Sequence, residues 1–80
     1  MDRKDYHRLK RYIKTLCIDN VKDLANNVGL TEYETKLLVY VNKNDTRVHM
    51  SLELGVCESK LTKDLRKIFV KVQDYLKRQS

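Results

Sequence analysis

The sequence predicts an all-α fold of about five helices, and three observations carry that prediction. There is no proline, and Gly29 and Gly55 are the only glycines in 80 residues, so few positions oppose helix growth. Hydrophobic residues make up 41% of the chain and charged residues 35%, a mixture suited to helices with one buried and one solvated face. The apolar residues recur at steps of three and four, the period of a helix. The length allows one domain, residues 1–80, since a second core needs more chain than this. It divides into an N-terminal helical pair, 1–29, and a C-terminal segment, 30–80.

Tyr6, Leu9, Ile13 and Leu16 follow Asp2 and Asp5, either of which suits a helix start by capping or by complementing the helix dipole. This predicts a first helix to about Cys17, with Tyr6, Tyr12, Ile13 and Cys17 in the core. In "IDNVKDLANNVG", Asp19 or Asn20 is the expected cap, Val21, Leu24, Ala25 and Val28 form a stripe, and Gly29 ends the helix. "LTEYETKLLVYV" opens with Thr31 and Glu34 at capping-box spacing and turns Tyr33, Leu37, Leu38 and Val41 inward. "NKND" reads as a loop, because Asn42, Asn44 and Asp45 can bond their own backbone. Thr46 is expected to cap a fourth helix reaching Leu54, with Val48 or Met50, Ser51 and Leu54 inward. From Glu58, Leu61, Leu65, Ile68, Val72 and Leu76 step by four, three, four and four, predicting one long last helix. Some 20 residues at about 1.5 Å each span roughly 30 Å, more than a core of this size requires.

The net charge of +6 is unevenly distributed. Residues 1–14 hold six basic residues against Asp2 and Asp5, net +4, and residues 56–80 hold seven against three, also +4. The middle, 15–55, holds four against six, net −2. Basic ends of this kind suit a polyanion. Cys17 and Cys57 lack the paired spacing of a zinc site, and two isolated cysteines predict a reduced, cytoplasmic protein. No apolar run reaches the length of a membrane span or forms the core of a signal peptide, so no membrane partner is expected. His7 and His49 have no evident nucleophile or carboxylate partner, and there is no glycine-rich phosphate loop. The expectation is a non-enzyme without cofactor, metal or catalytic residue.

Two stretches have the small residue, turn glycine and following apolar residue that a helix-turn-helix needs: Ala25, Gly29 and Leu30, and Ser51, Gly55 and Val56. Six residues past the glycine, the second offers Leu61, whereas the first offers polar Thr35. The helix after Gly29 shows Glu32 and Glu34, which phosphates repel, while the helix after Gly55 shows lysines. Gly55 is therefore the expected reading turn.

The run from Leu30 to Val72 resembles the helix-turn-helix shared by the promoter-binding C-terminal domain of bacterial sigma factors and LuxR-type regulators. The residues carrying this are Leu30-Thr31-Glu32, Glu34, Leu37-Leu38, Thr46, Met50-Ser51, Leu54-Gly55-Val56, Glu58-Ser59, Leu61, Leu65 and Ile68. Cys57 stands where that family favours a serine or threonine cap. The last helix continues through "VKVQDYLKRQS", closer to the sigma arrangement than to the LuxR type. The preceding 29 residues do not resemble the core-polymerase-binding parts of a sigma factor. The resemblance implies a small DNA-binding transcriptional regulator of a bacterium, phage or mobile element, with RNA polymerase as a further possible contact. The other reading is a protein-interaction module, an inhibitor or polymerase-binding adaptor, built on the same scaffold without reading DNA.

Residues spaced about 100° apart place Ser59, Lys63 and Arg66 opposite the core face of the last helix, flanked by Lys60 and Lys67, with Thr62 on the other flank. Lysine and arginine pair with phosphates or guanine edges, and serine and threonine contact either. Arg47 opens the preceding helix, whose start crosses the DNA backbone in this geometry. His49 reads as a surface histidine. Cys57 reads as a tolerated replacement for serine in preference to a redox sensor. Phe69, Val70 and Gln73 fall on another side of the last helix, which predicts a homodimer there, unless the N-terminal helices cover that patch within one chain.

Overall fold

Each of the five periodic stretches folds as a helix in the computed structural model, which describes residues 3–79. In chain order these are α1 (Arg3–Thr15), α2 (Ile18–Val28), α3 (Glu32–Asn42), α4 (Arg47–Leu54) and α5 (Glu58–Gln79). No strand occurs among the described residues. One continuous core draws on all five helices, from Leu9 and Ile13 of α1 to Ile68, Phe69 and Val72 of α5. Fully burying each such side chain contributes about 1.5–3 kcal/mol.

The helix boundaries follow local chemistry. Thr31 Oγ1 accepts from the Glu34 amide at 3.2 Å, and Glu34 Oε1 accepts from the Thr31 amide at 3.1 Å, so the expected capping box is present. Thr46 Oγ1 likewise accepts from the His49 amide at 3.1 Å. Asp2, the other candidate start for α1, lies outside the described residues. For α2 the expected cap is corrected: Cys17 occupies that position with φ −76° and ψ 161°, and its side chain makes no capping bond. The Cys17 carbonyl already accepts from the Val21 amide at 3.0 Å, which leaves Asp19 inside the first turn, where its charge complements the dipole.

Three helices end in a left-handed residue. Gly29 (φ 85°), Asn44 (φ 62°) and Gly55 (φ 67°) all turn the chain this way. In each case the following amide reaches back to a carbonyl five residues earlier: Leu30 to Ala25 at 3.0 Å, Asp45 to Tyr40 at 3.0 Å and Val56 to Ser51 at 3.2 Å. This is the Schellman pattern, which satisfies carbonyls that the helix leaves free. Half-buried Leu30 and Val56 then pack on the core, so each glycine turn also anchors the start of the next connection.

α3 lies at the centre of the N-terminal part, against α1, α2 and α5. Asn42, expected in a loop, is instead the last residue of α3. Its Nδ2 donates to the carbonyls of Ile13 at 2.8 Å and Leu16 at 2.7 Å. One side chain thereby satisfies two carbonyls at the end of α1.

The 22 residues of α5 do not run clear of the core. α1 packs along the C-terminal half, where the Tyr6 ring lies 4.7 Å from that of Phe69. Phe69 is 0% exposed, which corrects its placement in a homodimer surface: α1 folds back and covers it, leaving Val70 exposed and Gln73 half-buried. Tyr12 and Cys17, expected inside, are exposed. Tyr12 sits one residue, about 100°, from Ile13 and so falls beside the buried line of α1. In α4, Met50 is the buried residue and Val48 faces solvent.

Candidate nucleic-acid interface

The outer surface of α5 is fixed by what its inner surface must bury. Leu61, Leu65, Ile68 and Val72 are each at most 2% exposed, and the helical period turns the intervening residues outward. Ser59, Lys60, Lys63, Arg66 and Lys67 are all exposed, as is Arg47 at the start of α4, whereas Thr62 is half-buried. Gly55 sets the passage from α4 to α5. A side chain added there meets no atom within 4 Å, so its positive φ is the only reason glycine is preferred.

The face is not uniform, because its α3 side carries carboxylates. Tyr33 Oη donates to Asp64 Oδ2 at 3.0 Å. Lys60 Nζ lies 3.6 Å from that carboxylate oxygen and 5.2 Å from the Tyr33 ring centroid, a cation–π placement. Burial, the hydrogen bond to Asp64 and the nearby negative charge together raise the Tyr33 phenol above its ordinary value. Further along, Lys71 Nζ approaches Glu34 Oε2 at 2.9 Å. Burial alone would raise the Glu34 carboxyl, but hydrogen bonds and charge from Lys71 and the Thr31 contacts outweigh it and hold the group below its ordinary value. Lys60 and Lys71 are thus the cations of α5 that lean toward α3.

On the opposite side lies a cleft whose described charged residues are all basic. Arg47 of α4 and Thr62 and Arg66 of α5 line this cleft of about 600 Å³ together with Arg3 and His7 of α1. Tyr6 and Val70 complete the wall, and among the described residues no carboxylate belongs to it. Among the described residues no ion pair involves Arg3, Arg47, Lys63, Arg66 or Lys67. Arg3 and His7 were not among the site residues read from sequence. They lie some 40 to 60 positions from their neighbours in the cleft, and only the return of α1 onto α5 unites them. The single sequence-level signal was the basic N-terminal segment.

His49 is exposed and lies between two carboxylates, with Nδ1 3.5 Å from Asp45 and Nε2 3.4 Å from Glu53. Cys17 and Cys57 are both free and exposed. Among the described residues, no group of three or more His, Cys, Asp or Glu is placed to hold a metal ion, and no helix is long and apolar enough to cross a membrane. A larger groove of about 860 Å³ between α2, α3 and α4 mixes Lys22, Lys36 and Lys43 with Glu32 and Glu53, so it presents no single charge. Comparison with protein-family models, curated proteins and solved structures gives no match for the chain.

Proposed function

We propose that this protein is a small DNA-binding transcriptional regulator that reads the major groove with α5, the helix after Gly55. The observation that carries the reading is the set of exposed cations Arg47, Lys63, Arg66 and Lys67, which no described carboxylate neutralises. Ser59, Lys60 and Thr62 add donors on the first two turns of the same helix. The resemblance to sigma and LuxR-type helix-turn-helix segments supports this reading and adds RNA polymerase as a second partner, and the two isolated cysteines suit a cytoplasmic setting. Binding of a random duplex across a salt series tests it. Each neutralised phosphate contributes a slope of about −0.9 in log affinity against log salt, so a steep fall with rising salt is the expected result. Absence of affinity even at low salt overturns it. Selection from a random duplex pool then gives the sequence preference.

A second reading, a protein-interaction module on this scaffold, rests on a different observation. Val48 and Leu52, one turn apart on α4, are 57% and 77% exposed, an apolar pair without cover in the single chain. A chain that fails to bind DNA at every salt concentration favours this module.

A further inference from the structure

We propose that the cleft between α1, α4 and α5 is a phosphate seat, in which Arg3 and His7 extend the DNA contact of α5 onto the N-terminal helix. The inference rests on the DNA-binding reading for its partner, but on the cleft itself for its chemistry.

Arg3, Arg47 and Arg66 line one concavity with His7 and Thr62, and no described acidic residue shares it. Like charges brought together destabilise a fold unless an anion sits among them. On the α3 side of α5, Lys60 has Asp64 and Lys71 has Glu34; the cleft instead gathers three arginines with no described acidic residue among them.

The donor types suit a phosphodiester. Guanidinium groups donate in a planar fork that matches phosphate oxygens, and a threonine hydroxyl adds a short donor. A cleft of about 600 Å³ has room for roughly 20 water molecules at bulk density, enough for a backbone phosphate and its flanking sugars. The position fixes which phosphate this is. Arg66 and Thr62 belong to the face that enters the groove, and Arg47 opens α4, so the seat takes the backbone at the α1 edge of the site. α1 thus lengthens the footprint beyond the helix-turn-helix.

Two measurements on the full chain test this. In the first, pyrophosphate is titrated at constant ionic strength while amide and arginine side-chain resonances are followed. Shifts concentrated at Arg3, Arg47, Thr62 and Arg66 are expected, and equal shifts at Lys22 of α2 overturn the seat. In the second, duplex affinity across salt is compared for the parent, Arg3→Ala and Lys22→Ala, with circular dichroism confirming the fold of each. Arg3→Ala is expected to reduce the salt slope by about one and to weaken binding uniformly across sequences, with Lys22→Ala matching the parent. An Arg3→Ala slope equal to the parent's overturns the contribution of α1 while the DNA reading stands. Pyrophosphate shifts in the cleft without any duplex affinity uphold the seat and overturn the DNA reading alone.

Discussion

The Tyr33 hydroxyl donates to the Asp64 carboxylate at 3.0 Å across 31 residues of sequence, joining α3 to α5 beside the proposed DNA-reading face. The bond holds Asp64 toward α3, and Lys60 follows it at 3.6 Å. Tyr33→Phe is expected to lower stability by about 0.5–1.5 kcal/mol at neutral pH, the usual net value of such a bond. Because the folded state raises the phenol above 10.0, its contribution is complete below that pH and is lost as pH rises through the folded value. Urea midpoints of parent and variant should therefore converge in strong alkali.

Glu34 has the opposite sign. Its carboxyl is held below the ordinary 4.5, so the stabilisation is present above that pH and is lost as pH falls through the folded value. Glu34→Gln should be less stable than the parent at pH 6, and the gap should narrow as pH falls below 4.5 and through the folded value. A gap that stays constant over that fall contradicts the assignment.

Asn42→Ala leaves the carbonyls of Ile13 and Leu16 without their shared donor, an expected loss of about 1–2 kcal/mol. Asn42→Asp should cost more, since it places a carboxylate against two carbonyl oxygens. Denaturation midpoints check the order, and amide exchange in the last turn of α1 should rise in both variants.

Cys17 has the backbone of a working cap without its chemistry. Its φ and ψ of −76° and 161° match those of Thr31 (−70°, 168°) and Thr46 (−78°, 156°), whose hydroxyls do bond the helix start. Cys17→Ser should raise stability by about 0.5–1 kcal/mol, the range of a restored cap. Thermal unfolding under reducing conditions measures it.

Replacing Lys63, Arg66 and Lys67 together with alanine should remove duplex binding while changing stability by no more than about 0.5 kcal/mol, because all three are exposed and none enters the core. A variant that binds like the parent would end the assignment of α5 as the reading helix.

The helices were legible because their signals are local. Thr31 and Glu34 are three residues apart, Gly29 and Gly55 act on the turn they occupy, and the stripe from Leu61 to Val72 repeats within one element. Cap identity at α2 was not legible, since Asp19 and Cys17 compete within two residues and only the backbone conformation decides. Phe69 looked outward because periodicity places it beside the main stripe; its burial depends on Tyr6 arriving from 63 residues away. The same return of α1 brings Arg3 and His7 to Arg66. The basic face of α5 could be read from spacing, but its division into a paired side and an unpaired side required the positions of Tyr33, Glu34 and Arg47.

α5 touches every other helix, yet it is the last of the five to be made. Until Leu61, Leu65, Ile68 and Phe69 leave the ribosome, α1 to α4 lack the surface that completes their shared core. At about 5–20 residues per second, the 22 residues of α5 take roughly 1–4 s to synthesise. During that interval the parts of Leu37, Leu38 and Ile13 that face α5 in the finished core are open to solvent. The last helix made is thus the one that closes the core.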